Sequence, residues 1–479
     1  MPALFLIIPL AGIIISNIPG KKISAVMSFW AAVVVCLSQM FMAATSESPF
    51  WRGITGFLNG CLPFSAALRV NDSPSDLTGT VVLATIGLIA LVSLIIDVSL
   101  KNGRGRNFAN MLMVITAGMS GIVLVRDLFS MYVFLEITAV ASFILISMYR
   151  EADSLEGAFK YFVMSALATV FILSGIAIVF LTVGAVDFAS LSAYIASAPS
   201  LPLQMIAAFI LFIGGLSIKA GAVPFHGWLP DAYSSAPASV SVLLAGIVTK
   251  VTGVYTVMRL VFSVFCANRI ISLSFMVIGA ASIVVGALAA INQKDFKRML
   301  AYSSISQLGY IILAAGLGTP LGYAAALLHF FNHAAFKSQL FINSAAVETC
   351  AGTRDMDELG GLAYRMPVTA GTSVVGFLSA AGIPPLAGFW SKLLIIIALF
   401  DSGEYAFAAI ALLSSVLTLG YFVLMQRKVF FGKLKEGLNE VREARASNTV
   451  PALLLSAITV LVGVLFPIVL IGMRANGLI

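Results

Sequence analysis

Continuous apolar runs, each about the 20 residues that a helix needs to cross a bilayer, constrain this chain more than any other feature of it. Strands of a membrane barrel would alternate apolar and polar residues, and these runs do not, so the spans are helices. Only 10% of the 479 residues are charged and 60% are hydrophobic, far from the charged share of about 25% in a soluble domain. The fold class is an all-α polytopic membrane protein. With Gly, Pro and charge clusters as punctuation, about fourteen spans are expected. They are Ala3–Ile18, Ile23–Thr45, Leu77–Leu100, Phe108–Val125, Leu128–Met148, Ala158–Val183 and Pro202–Ala222, then Ser239–Phe262, Ile271–Ile291, Ala301–Gly318, Ala324–Ala346, Val368–Phe400, Tyr405–Phe430 and Thr449–Met473. The first span is read as retained, because Lys21 and Lys22 follow it where a signal peptide carries its basic residues in front.

Five charges sit deep inside such runs: Glu136, Lys219, Lys250, Lys337 and Lys392. At roughly 3 kcal/mol for each ionised side chain at a helix centre, together they cost about 15 kcal/mol, as much as the net stability of an ordinary domain. Such residues are expected to face a wet interior and to carry charge. Glu136 needs a cation beside it, and Lys219 is the expected partner, either as a switchable pair whose separation moves a proton or as a static pair locking two helices. Lys250 and Lys392 then extend a relay, with snorkelling to a span end the alternative for Lys392. His329, His333 and Lys337 follow one another at four-residue spacing and share a helix face. Imidazole titrates nearest neutrality and passes protons through two nitrogens; a structural role for the pair is the bland reading, and a metal site would need ligands beyond the one remaining histidine, His226. Arg259, near the end of its span, reads as an interface anchor, and the mixed-sign run Lys433–Arg445 as a solvated helix.

Two spans carry the same interruption, Pro224-Phe-His-Gly227-Trp228 and Pro385-Leu-Ala-Gly388-Phe389, the second preceded by Pro384. Proline removes a backbone donor, and broken backbone inside a membrane is tolerated where protein or a water-filled cavity satisfies it. Matched breaks in two halves point to inverted repeats around an ion path. The chain is accordingly divided into an N-terminal three-helix segment, 1–107, a first five-helix repeat, 108–262, a second, 263–430, and a final loop and helix, 431–479.

Most of the 28 Lys and Arg fall in odd-numbered loops, which places those loops in the cytoplasm and both termini outside it, in a multi-pass inner-membrane protein. The net charge of +7 then reflects topology and anionic lipid, with no nucleic-acid partner. Cys36, Cys61, Cys266 and Cys350 lie too far apart for an iron–sulfur, haem or zinc motif and read as small buried hydrophobes. With no phosphate-binding loop, His-Glu-x-x-His or Gly-x-Ser-x-Gly, no redox or hydrolytic centre, metal or cofactor is expected in this chain.

Six ordered motifs between Phe108 and Phe430 resemble the antiporter-like proton-pumping subunits of respiratory complex I, Mrp cation/proton antiporters and energy-converting membrane-bound hydrogenases. They are Asp127-Leu-Phe with Glu136; Lys219-Ala-Gly-Ala-Val-Pro-Phe-His-Gly-Trp-Leu-Pro-Asp231; Ala236-Pro-Ala-Ser-Val-Ser; Lys294-Asp-Phe-Lys-Arg-Met-Leu-Ala-Tyr-Ser-Ser-Ile-Ser-Gln307; His329-Phe-Phe-Asn-His333; and Gly382-Ile-Pro-Pro-Leu-Ala-Gly-Phe-Trp-Ser-Lys392. The resemblance implies fourteen helices with two inverted five-helix units. It makes Glu136 and Lys219 a coupled pair, Lys250 a central relay and Lys392 the terminal lysine, with His329 and Lys337 between the half-channels and His226 and Asp231 in secondary roles. It also implies a subunit of a redox-driven complex that moves H⁺ or Na⁺, with other membrane and peripheral subunits holding any Fe–S, Ni–Fe or flavin centres. The alternative is a subunit of an Mrp-type Na⁺/H⁺ antiporter. Tyr233 departs from the pattern, standing where many members carry histidine.

Overall fold

The computed structural model describes residues 4–18, 21–44, 77–99, 105–198, 202–264 and 269–475. Cys61, Cys266 and both chain ends lie outside the described residues. Nearly everything described is helical, as it must be where hydrocarbon offers the backbone no hydrogen bonds. Among the described residues, ten helices are long and apolar enough to cross a membrane. Of the fourteen expected spans, the eleventh is long enough but too polar to count among these ten, and the twelfth is cut in two by its Pro-Gly break.

The chain divides into two compact units, one of residues Met1–Lys219 and Ile247–Cys266, the other of Ala220–Gly246 and Ala267–Ile479. In the first, α1 (Leu4–Asn17), α2 (Lys21–Ala44), α3 (Leu77–Ser99) and α4 (Gly105–Leu124) pack together, followed by α5 (Leu128–Ile146), the 32-residue α6 (Ala152–Val183), the short α7 (Phe188–Ser197) and α8 (Leu203–Ala220). The second holds α9 (Trp228–Ser235) and α10 (Ala238–Leu243). The helix that continues from α10 passes through two π-turns, Leu244–Val248 and Lys250–Tyr255, into α11 (Thr256–Ser263), which belongs to the first unit. Then come α12 (Arg269–Ile291), α13 (Phe296–Gly316), the 32-residue α14 (Pro320–Ala351), α15 (Pro367–Ala381), α16 (Ala387–Asp401), α17 (Tyr405–Val429), α18 (Ala446–Val464) and α19 (Phe466–Ala475). The last expected span, Thr449–Met473, is thus two helices, parted at Leu465 just ahead of Pro467.

Burial sorts these helices. Of the α13 span 94% is buried, against 28% of α6, so α13 is the core of its unit while α6 turns large apolar side chains such as Leu181 and Phe159 outward, as a lipid-facing helix must. Contact between α12 and α13 is close enough that a Cβ on Gly279 would stand 2.6 Å from the Leu313 nitrogen, the small-residue packing that replaces a hydrophobic driving force in lipid.

Both units use one device at their helix starts. Asp127 caps α5 through the Ser130 amide at 2.7 Å, and the backbone pairs antiparallel with Asp187, with Leu128 N to Val186 O at 3.0 Å and Phe188 N to Arg126 O at 3.0 Å. In the second unit Asp295 caps α13 through the Arg298 amide at 2.8 Å and pairs with Asp355, with Phe296 N to Arg354 O at 2.9 Å and Met356 N to Lys294 O at 2.8 Å. The long helices α6 and α14 each end just before the second aspartate, at Gly184 and Gly352, both with the positive φ of a helix C-terminus. Each of these marks recurs at one spacing along the chain: 127 to 295, 187 to 355, 184 to 352.

Arg259 is held by its own unit: its guanidinium donates to the carbonyls of Ile122, at 2.6 Å, and Val125, and lies 5.1 Å over the Phe188 ring, closing the C-terminal end of α4. One sequence expectation is corrected here. The run Lys433–Arg445 is not a helix but an irregular strap. Glu443 on it accepts hydrogen bonds from the Val368 amide at 2.7 Å and the Thr369 hydroxyl at 2.6 Å, supplying the cap that α15 lacks in its own sequence. At the same surface Lys428, at 2.5 Å, and Lys294, at 3.3 Å, hold the Asp357 carboxyl below its ordinary range.

Candidate functional site

In the first unit, α8 carries Lys219 to within 2.9 Å of Glu136 on α5. The lysine side chain is 4% exposed and the carboxylate 28%, so the pair opens on the glutamate side. Two hydroxyls from α6 complete it: Lys219 Nζ donates to Ser165 Oγ at 2.8 Å, and Thr169 Oγ1 donates to Glu136 Oε1 at 2.6 Å. The ammonium thus has two hydrogen-bond acceptors and Glu136 Oε1 two donors, the kind of added hydrogen bonding a buried ion pair needs in order to persist. Lys250, 1% exposed, lies at the start of the second π-turn, which packs against α4. Single π-turns within helices recur at functional sites.

The helix break follows Lys219 directly. Its backbone turns at Gly221, with φ +62, and passes the Val223–Pro224 peptide, which is cis. Pro224 and Gly227 lie in the break, but Gly227 has an ordinary φ of −58 and open space beside it, so the turn rests on Gly221, which the motif did not single out. His226 is half-buried in the break. Asp231 on α9 accepts from Arg298 at 2.6 Å, while Lys297, at 2.7 Å, and Arg354, at 2.8 Å, donate to the Ala236 and Ser234 carbonyls at the end of α9. These three cations, which sequence reading counted as topology signals, fasten α9 to its own unit. Tyr233 is buried, with its hydroxyl donating to the Leu244 carbonyl at 3.1 Å.

In the second unit, α13, α14, α16 and α17 enclose a row of basic side chains. His329, His333 and Lys337 are all fully buried on α14, and the two imidazoles stack at 6.2 Å with 11° between their planes. His329 Nδ1 is 2.9 Å from Ser391 Oγ on α16, next to Lys392. The Lys392 ammonium lies 4.7 Å over the Tyr310 ring and has no hydrogen-bond partner among the described residues. Tyr310 itself is 5.8 Å from His329 and donates to the Ala411 carbonyl at 2.6 Å. Lys337 donates to Ser303 Oγ and to the Leu300 carbonyl at 3.1 Å, and lies 5.4 Å over the Phe422 ring. Sequence reading found the basic residues but missed Tyr310, Ser303 and Ser391. The last two stand inside the motifs already singled out, one residue from Lys392 in the case of Ser391; nothing marks Tyr310.

Lys392 is placed by the second break. Pro384 and Pro385, joined by a cis peptide, separate α15 from α16, and Gly382 turns the chain with φ +85. A Cβ on Gly388 would collide with the Ser379 carbonyl, so here the glycine is required by close approach of the two half-helices. Among the described residues no group of three or more His, Cys, Asp or Glu could hold a metal ion.

An ion pair buried in one unit and a row of His and Lys buried in the other, in a multi-pass helical membrane protein with two broken helices, define the class of carriers and pumps that move small cations. Within that class, the chain belongs to the NADH:quinone oxidoreductase/Mrp antiporter transmembrane family, whose profile matches residues 125–418. It is 35% identical over 348 residues to NADH-quinone oxidoreductase subunit N of Desulforudis audaxviator, covering 72% of this chain and 68% of that one. It is 29% identical over 447 residues to a Na(+)/H(+) antiporter subunit of Alkalihalophilus pseudofirmus, covering 92% and 89%. Its fold matches a chain in the Mrp complex of Dietzia sp. DQ12-45-1b with a TM-score of 0.84 at 23% identity, covering 98% and 95%.

Proposed function

We propose that this protein is the proton-translocating antiporter-like membrane subunit of a redox-driven complex. The observation that carries the proposal is the Glu136–Lys219 pair, an ion pair inside lipid-spanning segments whose carboxylate side opens to 28% exposure. Family membership supports it. Opening and closing that pair changes the charge felt by Lys250, and His329, His333, Lys337 and Lys392 provide the second set of proton carriers.

The same reading holds that the chain has fourteen spans in an inner membrane with both termini outside the cytoplasm. It also holds that 108–262 and 263–430 are inverted repeats, beside an N-terminal segment 1–107 and a closing segment 431–479. The shared spacing of the two aspartate bridges supports the repeats. Electron transfer through Fe–S, Ni–Fe or flavin centres would belong to partner subunits. A second reading, membership of a multisubunit Na⁺/H⁺ antiporter, is favoured by the alignment to the Alkalihalophilus pseudofirmus antiporter protein over 92% of this chain.

The test is proton translocation by the assembled complex in proteoliposomes. Glu136→Gln and Lys219→Ala are each expected to lower translocation at least tenfold while electron transfer by the partner subunits continues. Unchanged stoichiometry in both variants would falsify the proposal. Uptake driven by a sodium gradient alone, without an electron donor, would favour the second reading.

A further inference from the structure

We propose that a polar seam between α14 and α15 is a hydrated access path for protons, running from the second helix break to Glu443 on the strap. It lies apart from the His329–His333–Lys337 face. Asn332, Gln339 and Asn343 are seven and four residues apart, which places all three on one other face of α14, about 16 Å from end to end.

The seam can be followed from contact to contact. At the break, Asn332 Nδ2 donates to the Ala387 carbonyl at 2.8 Å, at the first residue of α16. Next, Gln339 Nε2 donates to the Thr372 carbonyl on α15 and to Ser456 Oγ on α18 at 2.7 Å. The Thr372 hydroxyl then donates to Asn343 Oδ1 at 3.1 Å. One turn nearer the helix start, the Thr369 hydroxyl donates to Glu443 Oε1 at 2.6 Å, where the half-buried carboxylate meets the surface.

Each of the three amides is at most 2% exposed and is satisfied on one side only. Asn332 Oδ1, Gln339 Oε1 and Asn343 Nδ2 have no hydrogen-bond partner among the described residues. Amides can join membrane helices by hydrogen bonds, as Gln339 and Asn343 do here, but that needs only one side of each amide, and the unsatisfied side left in hydrocarbon is unfavourable. Three on one line, each with an acceptor or donor left over, suit a file of water molecules bridging them. Amides do not titrate, so a proton passes them only through that water, and Glu443 is the titratable group at the mouth. The proton cargo rests on the functional reading above; the hydration of the seam does not.

The experiment uses the assembled complex with Cys36, Cys61, Cys266 and Cys350 replaced by serine. Gln339→Cys, Asn343→Cys and Ala345→Cys are labelled with a membrane-impermeant cationic methanethiosulfonate; Ala345 is equally buried on another face of α14. Labelling at 339 and 343 at least tenfold faster than at 345 is expected. In parallel, Glu443→Gln, which keeps an acceptor for the Val368 amide, and Gln339→Leu are each expected to slow proton translocation severalfold. Labelling at 339 and 343 as slow as at 345 means a dry seam and overturns the proposal. So does fast labelling with translocation unchanged in both variants. Failure of the functional reading is seen separately, in Glu136→Gln and Lys219→Ala.

Discussion

Lys219 and Lys392 are both sealed within their units, but they are held by different physics. Lys219 has a carboxylate at 2.9 Å, whereas Lys392 has only the face of Tyr310, worth about 2 kcal/mol when desolvated. Lys219→Met leaves Glu136 without its cation, and breaking a buried pair costs about 3–5 kcal/mol, toward the lower figure here because Thr169 and 28% exposure still serve the carboxylate. Lys392→Met removes a charge that no hydrogen bond compensates, so its stability should stay within about 1 kcal/mol of the parent. Thermal unfolding in mild detergent should therefore separate the two variants. Equal loss of Tm in the two would contradict this account of Lys392. Both lysines were legible because a charge stands out in an apolar run, and Glu136 was a natural partner because acids are so scarce there. Tyr310 and Ser391 were not legible, because an aromatic and a hydroxyl are ordinary helix residues until tertiary structure turns them toward a cation.

The two broken spans show what a motif can and cannot say. Pro-x-x-Gly-aromatic located both breaks, since proline and glycine act through local backbone geometry. It could not say which glycine matters, because that depends on what the backbone approaches. Gly388→Ala drives a methyl into the Ser379 carbonyl and should cost about 1–3 kcal/mol, while Gly227→Ala, with nothing within 4 Å, should change stability by less than about 0.5 kcal/mol. Chemical denaturation of the two variants checks the contrast, and a Gly388→Ala protein as stable as Gly227→Ala would show that the half-helices do not approach as described. The strap 433–445 was misread as a helix for a related reason. Its charges do suit a solvated helix, but Glu443 is held by the start of α15, a partner far away in sequence that no local window contains.

Along the full chain, the most telling regularity is carried by backbone and not by side chains. The two capping segments, Arg126-Asp-Leu-Phe and Lys294-Asp-Phe-Lys, share only the aspartate in register, yet they make the same pair of backbone hydrogen bonds to the segments around Asp187 and Asp355. Side chains were free to change because the bridge uses amide and carbonyl groups that every residue has, which is why sequence reading matched the halves by their prolines and overlooked this mark. The proline breaks follow a different spacing, 224 to 385, because the first unit places α7 between its bridge and α8, where the second has only the short turn Leu362–Tyr364. If the units derive from one ancestral half, equivalent positions should answer alike to the same change. Asp127→Ala and Asp295→Ala each remove a helix cap worth about 1 kcal/mol. Asp295→Ala should cost up to about 1 kcal/mol more, because it also removes the ion pair with Arg354, 2.5 Å away at a partly exposed site. Stability measurements on both variants, and on Asp295→Ala combined with Arg354→Ala, isolate the shared cap from the added pair. A cap effect present in one unit and absent from the other would mean that the bridges only look alike.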